Sequence, residues 1–292
     1  MDLQTFIERF KKEIDMRLPR YINEQHAPAS LKESMLYSLN AGGKRVRPLL
    51  MIATIEAYHE MFEHAYDAAC AVEMIHTYSL IHDDLPAMDN DDIRRGSPTN
   101  HIVYGEAAAI LAGDALLTKA FEVISHITGI SHADKILLIQ ELSRASGAEG
   151  MVGGQAADLE AEGQTISIDK LEHIHHHKTG DLLCFSIVAG GILAGAPGRE
   201  IENLRSFARE LGLVFQIKDD ILDVEGDSKE MGKTAGSDEG NDKSTYPKLL
   251  SLDGSKDKLK YHAERAKTYL QKTSADRSLL EEFVTYIVER RN

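Results

Sequence analysis

Apolar residues recur at intervals of three and four almost from one end of this chain to the other, and strand-like alternation is hard to find. Ala65, Ala68, Ala69, Val72, Ile75 and Ser79 mark one face. Ile110, Leu111, Ala115, Leu117, Phe121 and Ile124 mark a second, and Leu204, Phe207, Leu211, Val214 and Ile217 a third. Gly or Pro stands between such runs, at Gly42-Gly43, Pro48, Gly96, Gly153-Gly154 and Pro197-Gly198. The pattern predicts an all-α chain, a bundle of long helices with sites formed between facing helices. With 292 residues and no Pro/Gly/Ser-rich linker before residue 226, a single domain over 1–292 is expected.

The charge balance, Lys+Arg 33 against Asp+Glu 47, gives a formal net charge of -14. That sign excludes general attraction to nucleic acid or to an anionic membrane surface, so anionic substrates must be met by local cations. Cys70 and Cys184 lie in apolar, helix-like surroundings without CxxC spacing, which predicts buried reduced thiols and a cytoplasmic setting rather than a disulfide or a zinc site. Met1 to Phe6 begins an amphipathic pattern, not a basic leader, and no run reaches the roughly eighteen apolar residues of a membrane span. The run His175-His176-His177 is internal and is no expression tag.

Between His82 and Arg95 five aspartates crowd into ten positions, Asp83, Asp84, Asp89, Asp91 and Asp92, with Arg94 and Arg95 directly after them. Carboxylates this close raise one another's pKa unless a cation sits among them, and Mg²⁺ is the usual answer. A solvated acidic turn does not explain why a second set, Asp219, Asp220 and Asp223, recurs on an apolar helix. Asp219 and Asp223 are four apart and share a helix face, and Gln216 and Asp220 are expected to point to the same side, so that one face presents several oxygens to one cavity. Asp83 and Asp89 would splay in a helix, and Pro86 cannot continue one, so the helix is expected to end near Asp84 and the turn to fold Asp89 back towards Asp83. His76 lies on the Asp83 face, two turns below. Two acidic sets with arginines suggest a metal-bridged phosphate.

Two other metal chemistries fit parts of this pattern. Glu73 and His76 have the Glu-x-x-His spacing of di-iron bundles, but no second pair stands opposite, and all-aspartate sets favour Mg²⁺. His82-Asp83 on a helix is similar to helical metal-dependent phosphohydrolases, a reading that leaves the second aspartate set and the basic motifs without a role. Those basic motifs begin with Gly42-Gly43-Lys44-Arg45-Val46-Arg47-Pro48, three cations beside two glycines whose missing side chains let backbone approach a phosphate. Lys178-Thr179 and Lys233 are weaker signals. The stretch Gly226 to Thr234 is not a P-loop, because Asp227 stands where the first glycine is needed and a helix, not a strand, precedes it.

These stretches, together with Glu73 to Asp89, Gly150 to Gln155, Lys178-Thr179-Gly180 and Phe215 to Asp223, resemble the trans-prenyltransferases, or isoprenyl diphosphate synthases, and most closely the bacterial farnesyl diphosphate synthases. The resemblance covers essentially the whole chain. It implies the isoprenoid synthase fold, an all-α bundle around a central cavity in a single polyprenyl synthetase domain. It also implies three Mg²⁺ ions with substrate bound, held by Asp83 and Asp89 with Asp84 in support, and by Asp219 and Asp223. Lys44, Arg47, His76 and Arg95 would take isopentenyl diphosphate. Arg94, Lys178 and Lys233 would hold the allylic diphosphate, and Thr179 and Gln216 would line the place where its carbon becomes cationic. Tyr78, beside Ser79, would stop growth at fifteen carbons.

The activity implied is condensation of isopentenyl diphosphate with dimethylallyl and then geranyl diphosphate to give farnesyl diphosphate, in a homodimer. Geranylgeranyl or geranyl diphosphate synthesis is the alternative within the class. A terpene cyclase would not need the Lys44 and Arg47 site, and a non-catalytic regulatory partner would lack one aspartate motif. Gly226 to Pro247 would form a closing lid carrying Lys233. Arg290-Arg291 either reaches the isopentenyl site or frays; the sequence leaves both open.

Overall fold

The computed structural model of the chain describes residues 1–60, 63, 65–225 and 244–290. Among them the helices are α1 (Leu3–Asn23), α2 (Ala29–Asn40), α3 (Val46–Ala57), α4 (Ala65–Asp83), α5 (Asn100–Tyr104), α6 (Glu106–His126) and α7 (His132–Ser146). They continue with α8 (Met151–Ala161), α9 (Ile168–His175), a π-helical turn over His176–Gly180, α10 (Asp181–Leu193), α11 (Gly198–Glu225), α12 (Tyr246–Leu270) and α13 (Ser278–Glu289). The sheet content described is one antiparallel pair, β1 (Ile93–Arg94) with β2 (Ser97–Pro98). The expected all-α class is therefore what the chain adopts. Contacts gather it into two compact units, one of Met1–Ile52 with Phe62–Ile139, the other of Ala53–Met61 with Gln140–Asn292.

In the first unit, α1 buries Phe6, Phe10, Ile14, Leu18 and Ile22, a four-residue stripe along one face, and Asp2 caps it by accepting the Thr5 amide at 3.0 Å. Helix α4 is buried almost all round and packs on α6. The sequence pattern misplaces the inner face of α6. Ala109, Ala112, Gly113, Leu116, Ala120, Val123 and Ile124 are buried, whereas Ile110 and Leu111 are 42% and 57% exposed. Close approach of two helices selects small side chains at the contact, and the larger apolar residues fall outside it.

The link between α2 and α4 is an ion-pair cluster. Arg45, at φ 51 and 4% exposed, turns its guanidinium inward: Nη1 donates to Glu73 Oε1 at 2.7 Å, Nε to Asp15 Oδ1 at 2.8 Å and Nη2 to the Leu39 carbonyl at 2.7 Å. A left-handed backbone at a non-glycine residue costs of order 1 kcal/mol, and three charge-assisted bonds offset it.

In the second unit, α11 buries Leu204, Phe207, Leu211, Val214 and Ile217 as its period indicates, packing on α10 and α12. Helix α10 is buried nearly throughout, including Cys184; Cys70 on α4 is likewise a buried free thiol. Thr245 caps α12, which is broken at Ser251 by a φ of 67°. His175 stacks on the fully buried Tyr246 with ring centroids 5.7 Å apart. No helix among the described residues is long and apolar enough to cross a membrane.

Replacing Arg45 with Met leaves the Glu73 carboxylate buried without its guanidinium, and should lower unfolding free energy by about 3 kcal/mol or more. In a denaturant-unfolding double-mutant cycle, adding Glu73→Leu should recover much of that loss. Strict additivity of the two losses would refute the pairing. Burial pushes the His175 imidazole down to about 3. It folds neutral, whereas the unfolded chain takes a proton near 6.5, so stability is full above that pH and is lost as pH falls towards 3, by roughly 1.4 kcal/mol per unit. His175→Phe should flatten the loss measured between pH 6.5 and 5, and an unchanged slope would refute it.

Candidate active site

Helix α4 ends at Asp83 because the chain turns through Pro86. The Leu85 amide bonds to His82 O at 3.2 Å, Met88 to Leu85 O at 2.9 Å and Asn90, at φ 53, to Leu85 O at 3.1 Å. The Asp89 amide closes the turn by donating to the Asp83 carbonyl at 2.9 Å, the fold-back that the sequence leads one to expect. Asp84 differs from its neighbours. It is 3% exposed, and its Oδ1 accepts Arg94 Nε at 2.6 Å and Nη2 at 2.5 Å, with Asp91 3.4 Å from the same Arg94 nitrogen. The β1–β2 hairpin presents that arginine, so in this structure Arg94 serves Asp84.

The glycines of the basic motif lie against Arg95. Arg95 donates to the Gly42 carbonyl, and a Cβ on Gly43, whose φ is 136°, would lie 2.8 Å from the Arg95 guanidinium. The missing side chain thus makes room for a cation. Of the three cations in the motif, Arg45 points inward as described, Arg47 is buried and Lys44 is exposed. Near them His76 is held neutral, well below its usual range, first by burial and then by Arg47, Arg95, Arg94 and Arg45. Lys44, Arg47, Arg95 and His76 belong to one unit, and Arg47 and Arg95 act on His76. Two competing readings lose their residues here. Glu73 of the Glu-x-x-His pair is committed to Arg45, and His82 of the His-Asp pair has Nε2 3.0 Å from the Ile110 carbonyl. Tyr78 is 5% exposed with its hydroxyl pushed up to about 12 by burial and by Asp83, and Ser79 donates to the His76 carbonyl at 2.9 Å.

In the second unit the π turn carries Lys178 and Thr179. Lys178 Nζ donates to Asp158 Oδ2 on α8 at 2.6 Å, and a Cβ on Gly154 would lie 2.1 Å from the Lys178 amide nitrogen, which explains a glycine in that motif. Thr179 Oγ1 donates to Gln216 Oε1 at 3.1 Å; Gln216 Nε2 donates to Asp220 Oδ1 at 3.0 Å; Asp220 Oδ2 accepts the Tyr246 amide at 2.9 Å. The Gln216 amide is thereby oriented from both ends, and Asp220, 2% exposed, is a support and not a surface ligand. Asp219 has a 40% exposed side chain and pairs with Arg290, whose Nη2 also donates to the Phe215 carbonyl at 3.1 Å. Asp223, one turn on, is half-buried.

Arg290 and Asp158 are the partners that sequence reasoning left unassigned. Neither carries a spacing signal, since one lies 71 residues from Asp219 and the other 20 from Lys178. Lys233, Arg291 and 226–243 of the expected lid lie outside the described residues. The end of that stretch is fixed, with Tyr246 buried and Ser244 donating to Gln164 O at 3.0 Å.

Among the described residues no three His, Cys, Asp or Glu side chains are grouped closely enough to hold an ion by themselves. The donor chemistry still fits Mg²⁺. Asp83, Asp89, Asp219 and Asp223 offer hard carboxylate oxygens, and Mg²⁺ in phosphate-handling sites takes one or two carboxylates, with waters and substrate phosphates completing its shell.

The Polyprenyl synthetase family matches residues 28–287. Farnesyl diphosphate synthase of Bacillus subtilis (strain 168) is 53% identical over 290 residues, which span 99% of this chain and 98% of that one. The Geobacillus stearothermophilus protein of the same name is 51% identical over 282 residues, 96% and 95% of the two chains. The apo crystal structure of an FPP/GFPP synthase from Zymomonas mobilis superimposes with a TM-score of 0.85 at 36% identity, over 98% of each chain. Likeness of that extent, in sequence and in backbone alike, makes this chain a member of the polyprenyl synthetase family.

Proposed function

We propose that this chain is a farnesyl diphosphate synthase. It joins isopentenyl diphosphate to dimethylallyl diphosphate and then to geranyl diphosphate, and residues 1–292 act as one polyprenyl synthetase domain. The observation that carries the reading is the pairing, within one unit, of a cation cluster around neutral His76 with the folded-back carboxylates Asp83 and Asp89. One suits a diphosphate directly, and the other suits a diphosphate bearing metal. The fifteen-carbon product rests on the relatives of that name and on the buried Tyr78, one turn before His82.

The chemistry follows from these groups. The allylic C–O bond breaks with its electron pair going to the diphosphate, leaving a delocalised carbocation. The isopentenyl double bond supplies the electrons of the new C–C bond, and a proton then lost from the adjacent carbon passes to the departed diphosphate. Mg²⁺ bound by Asp83, Asp89, Asp219 and Asp223 would supply charge neutralisation for the leaving group. Lys178 and Arg94 would each add positive charge to the allylic diphosphate. Lys44, Arg47 and Arg95 bind the isopentenyl diphosphate, and His76, neutral, contributes a hydrogen bond. Gln216 offers its carbonyl oxygen, and Thr179 its hydroxyl oxygen, to the developing cation. Lys233 is assigned to the allylic diphosphate by the family motif alone. No nucleophilic side chain is required, and water must be excluded from the cation.

Two buried reduced cysteines support a cytoplasmic enzyme. Exposed Ile102, Val103, Ile110 and Leu111 on α5 and α6 support a homodimer, which a one-chain mass by light scattering would refute.

Incubated with Mg²⁺, dimethylallyl diphosphate and labelled isopentenyl diphosphate, the protein should yield farnesyl diphosphate by chromatography. Phosphate release without a prenyl product would overturn the assignment. Asp83→Asn should lower turnover by about two orders of magnitude or more, the scale on which a group stabilising leaving-group charge is felt. Tyr78→Ala should shift the product beyond fifteen carbons; unchanged product length would remove Tyr78 as the stop.

A further inference from the structure

The contact between α4 and α6 holds an arrangement that the reaction above does not use. The His82 imidazole spans it, with Nε2 3.0 Å from the Ile110 carbonyl oxygen. A carbonyl oxygen only accepts, so Nε2 carries the proton and donates. The ring occupies the space that a side chain on Gly113 would fill: a Cβ there would stand 2.2 Å from Nε2 and 2.5 Å from Cδ2. Such distances force a shift, so a side chain at 113 would push the His82 ring from its place. Tyr78, four residues earlier on α4, meets the same imidazole edge-on, with ring centroids 5.6 Å apart and planes at 82°.

We propose that His82 is a positioning residue for product length: Ile110 and Gly113 fix its ring, and its ring fixes Tyr78 in the conformation that stops the growing prenyl chain. The inference rests on the function proposed above, with Tyr78 as the stop. Its physical basis is packing. An aromatic side chain rests in one of a few staggered wells, and a close neighbour on its flank denies it the others. Removing the imidazole leaves a void beside Tyr78 into which the phenol ring can turn. Burial of five further carbons then favours the longer chain. His82 makes no contact with the reacting atoms in this account. It acts through Tyr78, and Gly113 acts through His82.

That order of action gives the test. Wild type, His82→Ala, Gly113→Ala and the double variant are incubated with Mg²⁺, dimethylallyl diphosphate and labelled isopentenyl diphosphate, and products are separated by length. Wild type should give the fifteen-carbon product. Each single variant should raise the ratio of twenty- to fifteen-carbon product by about tenfold or more, within the discrimination that a small change in an apolar pocket can command. In the His82→Ala background, Gly113→Ala should change the ratio no further, because its target is gone. A loss of general stability would lower total incorporation without producing that pattern.

His82→Gln, which keeps an N–H donor but no ring, guards against a variant that does not fold; it should give a ratio between wild type and alanine. Unaltered fifteen-carbon product from folded His82→Ala or His82→Gln would overturn the proposal while leaving the synthase assignment intact. An equal effect of Gly113→Ala in both backgrounds would also overturn it. Absence of any prenyl product from wild type would instead overturn the assignment beneath it.

Discussion

A guanidinium turned inward organises the basic end of the first unit. Arg45 joins Asp15 on α1, Glu73 on α4 and the end of α2 through one planar fork, and it does so from a left-handed backbone that few side chains accept without compensation. With Arg45 committed to the interior, the flanking residues are sorted into different environments. Lys44 lies at the surface, and Arg47, with Arg95 seated against Gly43, lends its field to His76. Glu73, which by spacing alone resembles a metal ligand, is neutralised by the same fork. One buried ion pair therefore commits Arg45 and Glu73 to the fold.

The second unit solves a related problem with hydrogen bonds. Asp220 sits between the Gln216 amide and the start of α12, so a single carboxylate orients a polar side chain and anchors the helix that follows 226–243. Its neighbour Asp219 has a more exposed side chain. Adjacent aspartates on one helix thus have different environments, as adjacent Asp83 and Asp84 have in the first unit, where Asp84 is taken by Arg94.

Much of this was legible in the sequence, for reasons that differ from residue to residue. The fold-back of Asp89 follows from proline ending a helix, and the common side of Gln216 and Asp220 from a spacing of four; both are local rules, whereas the bond between them and the burial of Asp220 are not read from spacing. The inner face of α6 was misjudged, because apolar periodicity favours Ile110 and Leu111 whereas the contact with α4 selects Ala and Gly. Which cation of Lys44, Arg45 and Arg47 turns inward depends on acids 30 and 28 residues away from Arg45, beyond any local pattern. Arg290 beside Asp219 is hidden for the same reason.

The π turn at His176–Gly180 has a consequence for helical phase. A π turn holds more residues than an α turn, so α9 and α10 are out of register with each other by most of one residue's rotation, roughly 100°. His175 before the turn stacks inward on Tyr246, while Lys178 and Thr179 within it reach Asp158 and Gln216. The wider turn also needs clearance, which Gly154 supplies at Lys178 and Gly212 at Gly180, where an added Cβ would meet backbone at 2.1 and 2.9 Å. Shortening this segment by a single residue would restore an unbroken helix and, in doing so, rotate the lysine and the threonine out of their directions together.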